Sequence, residues 1–109
     1  MSIIYKDYYS PKTLRWPRLP VFMDDCNEKW ISFKDLCDVC DMHVSNITVM
    51  CAGIDAEDYS TLYTLLIVNS EIDEPLPKHW SNDCWFINES ILTKIFGDAI
   101  EVKRRGVTL

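Results

Sequence analysis

The sequence predicts an α+β fold: a small, mostly antiparallel sheet with about three short helices packed on it. Three observations predict it. Short apolar runs at residues 19–24 and 29–33 flank the polar break Asp25-Cys26-Asn27-Glu28, which is the pattern of a β-hairpin. Ser32-x-x-Asp35 then opens a segment whose apolar residues recur at helical spacing. The near-continuous apolar run from Thr61 to Asn69 reads as a strand covered on both faces.

Taken in order, residues 1–20 read as an extended N-terminal arm and 21–109 as a single α+β domain. Pro11, Pro17 and Pro20 forbid a continuous helix and push their predecessors toward extended geometry. Tyr5, Tyr8, Tyr9, Leu14 and Trp16 give the arm apolar surface. It can lie across the domain or reach a second subunit, so a homo-oligomer is one expectation.

The first helix is expected from Phe33 to Asp41, with Ser32 as N-cap. Phe33, Leu36, Cys37 and Cys40 stand at i, i+3, i+4 and i+7 and form its inner face. Asp35, Asp38 and Asp41 drift along a different face, expected to point outward. An acid at the end of a helix opposes the macrodipole, so the helix should stop by Asp41. Met42-His43-Val44 then reads as a turn, and Ser45 or Asn46 as the cap of a second helix running to about Cys51.

Residues 54–60 read as an acidic loop, and 70–79 as a loop held irregular by Pro75 and Pro77. Ser81-Asn82-Asp83 suits a turn, followed by a strand from Cys84 to Ile87. Asn88 is placed to cap a third helix, Glu89 to Phe96, with Gly97 ending it. Ile100 and Val102 suggest a last strand at 98–104.

Composition bounds the function. The chain of 109 residues is 48% hydrophobic and 26% charged, an ordinary globular balance. Three glycines leave little for a phosphate-cradling loop. No apolar stretch is long enough to span a bilayer and no secretory signal pattern opens the chain, so the expected compartment is the cytoplasm. There the five cysteines should be reduced. The net charge of −6 is uneven. Residues 1–20 carry Lys6, Lys12, Arg15 and Arg18 against Asp7; residues 101–109 carry Lys103, Arg104 and Arg105 against Glu101. The middle is strongly acidic, which disfavours direct nucleic-acid binding there and suits a basic partner.

Cys37-x-x-Cys40 has the spacing of half a zinc site, but Cys26, His43, Cys51, His79 and Cys84 are scattered singles, and helical spacing turns both thiols inward. No local signature of nucleophilic or metal chemistry is present, so no enzyme activity, cofactor or metal is expected. The candidate partner-binding residues are Asp35, Asp38, Asp41 and His43 beside the first helix, and Trp80 as an exposed interface aromatic.

The segments Trp30-Ile31-Ser32-Phe33-Lys34-Asp35-Leu36-Cys37, Met42-His43-Val44-Ser45-Asn46 and Trp85-Phe86-Ile87-Asn88-Glu89-Ser90-Ile91-Leu92 resemble the N-terminal domain of phage antirepressor proteins of the Bro-N/Ant type. The resemblance covers about half the chain. Where that family often has a glycine after its first helix, this chain has Asp41 or Met42. The resemblance implies a phage or prophage regulator that binds a transcriptional repressor and removes it from its operator. A second reading is a small acidic inhibitor or immunity protein that blocks a nucleic-acid-acting enzyme.

Overall fold

Asp24 builds the hairpin that organises the sheet. In the computed structural model, which describes residues 2–10, 14–40, 43, 45, 51–70, 72 and 74–92, its Oδ1 accepts the backbone N–H groups of Cys26 (2.8 Å) and Glu28 (2.9 Å). Its Oδ2 accepts the Trp30 indole N–H at 3.0 Å. One carboxylate thus closes the turn and ties it to the following strand. Asn27 takes the left-handed conformation (φ 64°) that the turn requires and that Asn tolerates.

The hairpin joins β2 (Arg18–Met23) to β3 (Lys29–Ser32), with Phe22 opposite Trp30. β1 (Ser2–Asp7) pairs antiparallel along the whole of β2, Ser2 opposite Met23 through Asp7 opposite Arg18. Ser2–Asp7 of the expected arm is therefore an edge strand of the sheet, and the boundary expected after residue 20 falls inside β2. Its tyrosines and prolines left its extended form legible but not its pairing partner. Pro20 is tolerated because β3 pairs with β2 only at Phe22 and Met23, beyond Pro20. On the other side of β3 lies β5 (Trp85–Asn88), and beyond it β4 (Tyr59–Thr61). The order is β1-β2-β3-β5-β4, and every pairing is antiparallel.

Two helices stand among the described residues: α1 (Phe33–Cys40) and α2 (Leu62–Val68). α1 begins directly at the end of β3, as its Ser-x-x-Asp signature implies. Ser32 Oγ accepts the Asp35 N–H at 3.0 Å and donates to Asp35 Oδ2 at 2.7 Å. The strand expected from Thr61 to Asn69 is corrected. Only Thr61 belongs to a strand, and the apolar run after it is α2, with the Thr61 hydroxyl accepting the Thr64 N–H as N-cap. A short, continuous apolar run carries no period that separates helix from strand. Leu62 and Leu65 decide it by being buried while Tyr63, Ile67 and Val68 are exposed.

Strand alternation gives the sheet two apolar faces. Val21, Ile31 and Ile87 share one core with Tyr8 and with Phe33, Leu36, Cys37 and Val39 of α1. Phe22, Trp30 and Phe86 share the other with Leu62 and Leu65 of α2 and with Trp80. The expected hairpin, the turn at 81–83 and the strand after it all stand, the turn closed by Cys84 N–H to Ser81 O at 3.0 Å. Asn88 caps as expected, its Oδ1 accepting the Ser90 N–H at 3.0 Å, and the chain continues as a 3-10 turn over Glu89–Ile91. The remainder of the third helix, the strand at 98–104 and most of the second helix lie outside the described residues.

Candidate functional site

Asp35 is buried, not outward. As the third helical residue its side chain leans back toward the start of α1, where it meets the chain of residues 77–80 instead of solvent. Oδ1 lies 2.7 Å from His79 Nε2, and Oδ2 accepts both the Ser32 hydroxyl at 2.7 Å and the Trp80 indole N–H at 3.1 Å. A carboxylate with this many donors is held at low cost in the interior. The node is a clamp: it fixes the start of α1 and pins the loop that crosses the opposite face of the sheet.

Trp80 is likewise buried, which corrects its expected role as an exposed interface aromatic. Its ring stands edge-on to Phe86, centroids 4.8 Å apart and planes at 86°. Pro75 and Pro77 did make the preceding segment irregular, but Trp80 N–H bonds to Pro77 O at 3.0 Å and the turn directs the indole inward.

Of the remaining expected contact residues, Asp38 is exposed, and beside it Arg15, Pro17, Leu19 and Val39 line a surface groove of about 200 Å³. His43 is exposed, with its Nδ1 2.9 Å from the Ser45 hydroxyl. Asp41 lies outside the described residues. The five residues therefore do not form one surface: Asp35 and Trp80 meet inside, and Asp38 and His43 remain outside. Cys37 is inward as expected, and burial, reinforced by the Asp38 carboxylate, raises its thiol above the ordinary value. The side chain of Cys40 lies outside what is described.

Sequence reasoning missed the opposite side of the molecule. Tyr63 and Ile67, four residues apart on α2, share a face and are 57% and 62% exposed; Val68 beside them is 68% exposed. The strap Asn82–Cys84 fastens the start of α2, with Tyr63 N–H to Asn82 O at 3.0 Å and Leu62 N–H to Cys84 O at 2.9 Å. Next to it the half-exposed Trp85 ring packs on Tyr59 at 5.5 Å. A groove of about 310 Å³, lined by Phe33, Lys34, Ser81, Asp83, Cys84 and Trp85, adjoins this corner. The Ser81 hydroxyl donates to Asp83, which holds that carboxyl below its usual range. The available signal was Leu62-x-x-Leu65 after a Thr cap, submerged in a run that also suited a strand.

On the α1 side a polar cluster closes the first core. The Tyr8 hydroxyl and the Lys6 ammonium both donate to Glu89 Oε2 at 2.7 Å. Burial and the Glu89 charge push the Tyr8 phenol far above its ordinary value. None of the described helices is long and apolar enough to cross a membrane. The described residues contain no group of three or more His, Cys, Asp or Glu placed to hold a metal. Compared with family models, curated proteins and solved structures, the chain matches none.

Proposed function

We propose that this is a non-enzymatic phage or prophage regulator, cytoplasmic, that acts by binding a basic protein partner, most directly a transcriptional repressor that it lifts from DNA. The observation that carries this reading is the partition of acids. Glu28, Asp38, Asp55, Glu57 and Asp83 all face solvent, while the buried carboxylate Asp35 is saturated with donors inside the fold. Outward acids on a small domain attract a basic protein and repel a phosphate backbone. DNA-binding proteins carry basic surfaces. A protein that covers such a surface competes with DNA for it.

The test is affinity capture of the tagged chain from the cells that carry its gene, with the retained proteins identified by mass spectrometry. The reading expects a sequence-specific DNA-binding protein among them, released by raising the salt. Retention of a nuclease or another nucleic-acid-processing enzyme in its place favours the inhibitor reading, which the same acidic surface supports. Retention of neither contradicts both.

A further inference from the structure

We propose that Glu74 is an edge guard: its carboxylate keeps the open edge of β1 closed to a second copy of this chain. The ladder fixes which groups of β1 point outward. Tyr8 N–H donates to Pro17 O at 3.1 Å and Ser10 N–H to Arg15 O at 2.9 Å, which continues the β1–β2 register past Asp7. Bonded positions alternate along an antiparallel pair, so the even-numbered residues of β1 bond to β2, while Ile3, Tyr5 and Asp7 turn their N–H and C=O groups away from it. β1 is the outermost strand on its side, so those groups form an open edge of the sheet. Glu74 Oε1 accepts the first of them, the Ile3 N–H, at 2.6 Å.

The guard is held in place from both sides. Ile72 and Leu76 pack against the core that contains Ile3 and Trp80. Before them Ser70 donates its N–H and its hydroxyl to Asp25, each at 2.8 Å, and after them His79 and Trp80 meet Asp35. A carboxylate stops a ladder because it takes a donor and returns none, whereas a strand offers donors and acceptors in alternation. The strand that suits this edge is β1 itself. Among the described residues nothing accepts the Tyr5 N–H, and a two-fold axis at Tyr5 lets two copies exchange main-chain bonds there. That register brings the two exposed Tyr5 rings together, and it sets Ile3 opposite Asp7 and Ile4 opposite Lys6, so no like charges of β1 face each other. Glu74 blocks it twice. It occupies the Ile3 N–H that the register aims at the second copy, and its charge stands where the Asp7 carboxylate of that copy would arrive.

The experiment measures self-association of the full chain by sedimentation equilibrium. Glu74→Ala should associate about tenfold more tightly than the wild type, or more. Glu74→Gln keeps an acceptor and sheds the charge, so it should fall between the two. Adding Tyr5→Pro to Glu74→Ala should restore the wild-type behaviour, because it deletes an outward N–H and no bond to β2. In the wild-type background Tyr5→Pro should leave the association state unchanged. Circular dichroism checks that each variant keeps the fold. Amide hydrogen exchange on the wild type gives a reading that needs no variant: Ile3 should exchange about tenfold more slowly than Tyr5 once intrinsic rates are corrected. Four results overturn the inference: a Glu74→Ala chain that associates no more than the wild type, association of that variant that Tyr5→Pro leaves intact, wild-type association that Tyr5→Pro abolishes, or an Ile3 amide that exchanges as fast as Tyr5.

Discussion

The Trp80 indole N–H donates to Asp35 Oδ2 at 3.1 Å, which joins the first turn of α1 to a loop forty-five residues further on. The same carboxylate serves Ser32 and His79. Removing it strands three polar partners and loosens a helix cap together. Asp35→Ala should therefore cost about 2–4 kcal/mol, read from the urea midpoint at constant m-value. Asp35→Asn keeps an acceptor for the indole and should cost less. Asp38→Ala, one residue group outward on the same helix, should stay within about 0.5 kcal/mol.

α2 has a polarity that mutagenesis can read. Leu65→Ala should cost about 2–4 kcal/mol because Leu65 packs in the core with Phe22 and Phe86, whereas Ile67→Ala should change stability little. A strand through Thr61 to Asn69 would place Leu65 and Ile67 on the same face and make the two losses equal. Thr61→Ala, which deletes the cap, should cost about 1 kcal/mol.

Tyr8 predicts an alkaline limit. Burial and Glu89 raise its folded pKa above the unfolded value near 10. A raised folded value means the contribution is complete below about pH 10 and is lost as pH rises through and beyond it. The thermal midpoint of the wild type should fall steeply there. Tyr8→Phe should begin lower, having lost the hydrogen bond to Glu89, and fall less steeply over the same range.

Thiol chemistry should divide the cysteines. Cys26 is exposed on the β2–β3 turn, while Cys37 is buried and its thiol raised by that burial. Iodoacetamide at neutral pH, followed by peptide mass spectrometry, should label Cys26 rapidly and Cys37 only in denaturant.

Local signals were legible where the cause was local. The Asp24–Glu28 turn, the Ser32 cap and inner face of α1, and the Asn88 cap each depend on residues a few positions apart, and each stands in the structure. The Asp35 surroundings were not legible, because the deciding partners, His79 and Trp80, are distant in sequence and reach it only through tertiary packing. The same carboxylate can be a solvated acid or a buried clamp, and helical spacing alone does not tell them apart. The α2 face was hidden for a different reason: an apolar run dense enough to suit either period conceals which of its members are surplus.

We propose that the chain takes a basic DNA-binding protein off its DNA through its exposed carboxylates. The most direct measurement is a gel shift of the captured partner on its operator, titrated with the wild-type chain and with the exposed-acid variant Asp38→Asn, Asp55→Asn, Glu57→Gln. The account predicts that the wild type frees the operator while the variant needs about tenfold more protein or fails. An operator complex that persists unchanged, or one that wild type and variant release equally, would contradict it.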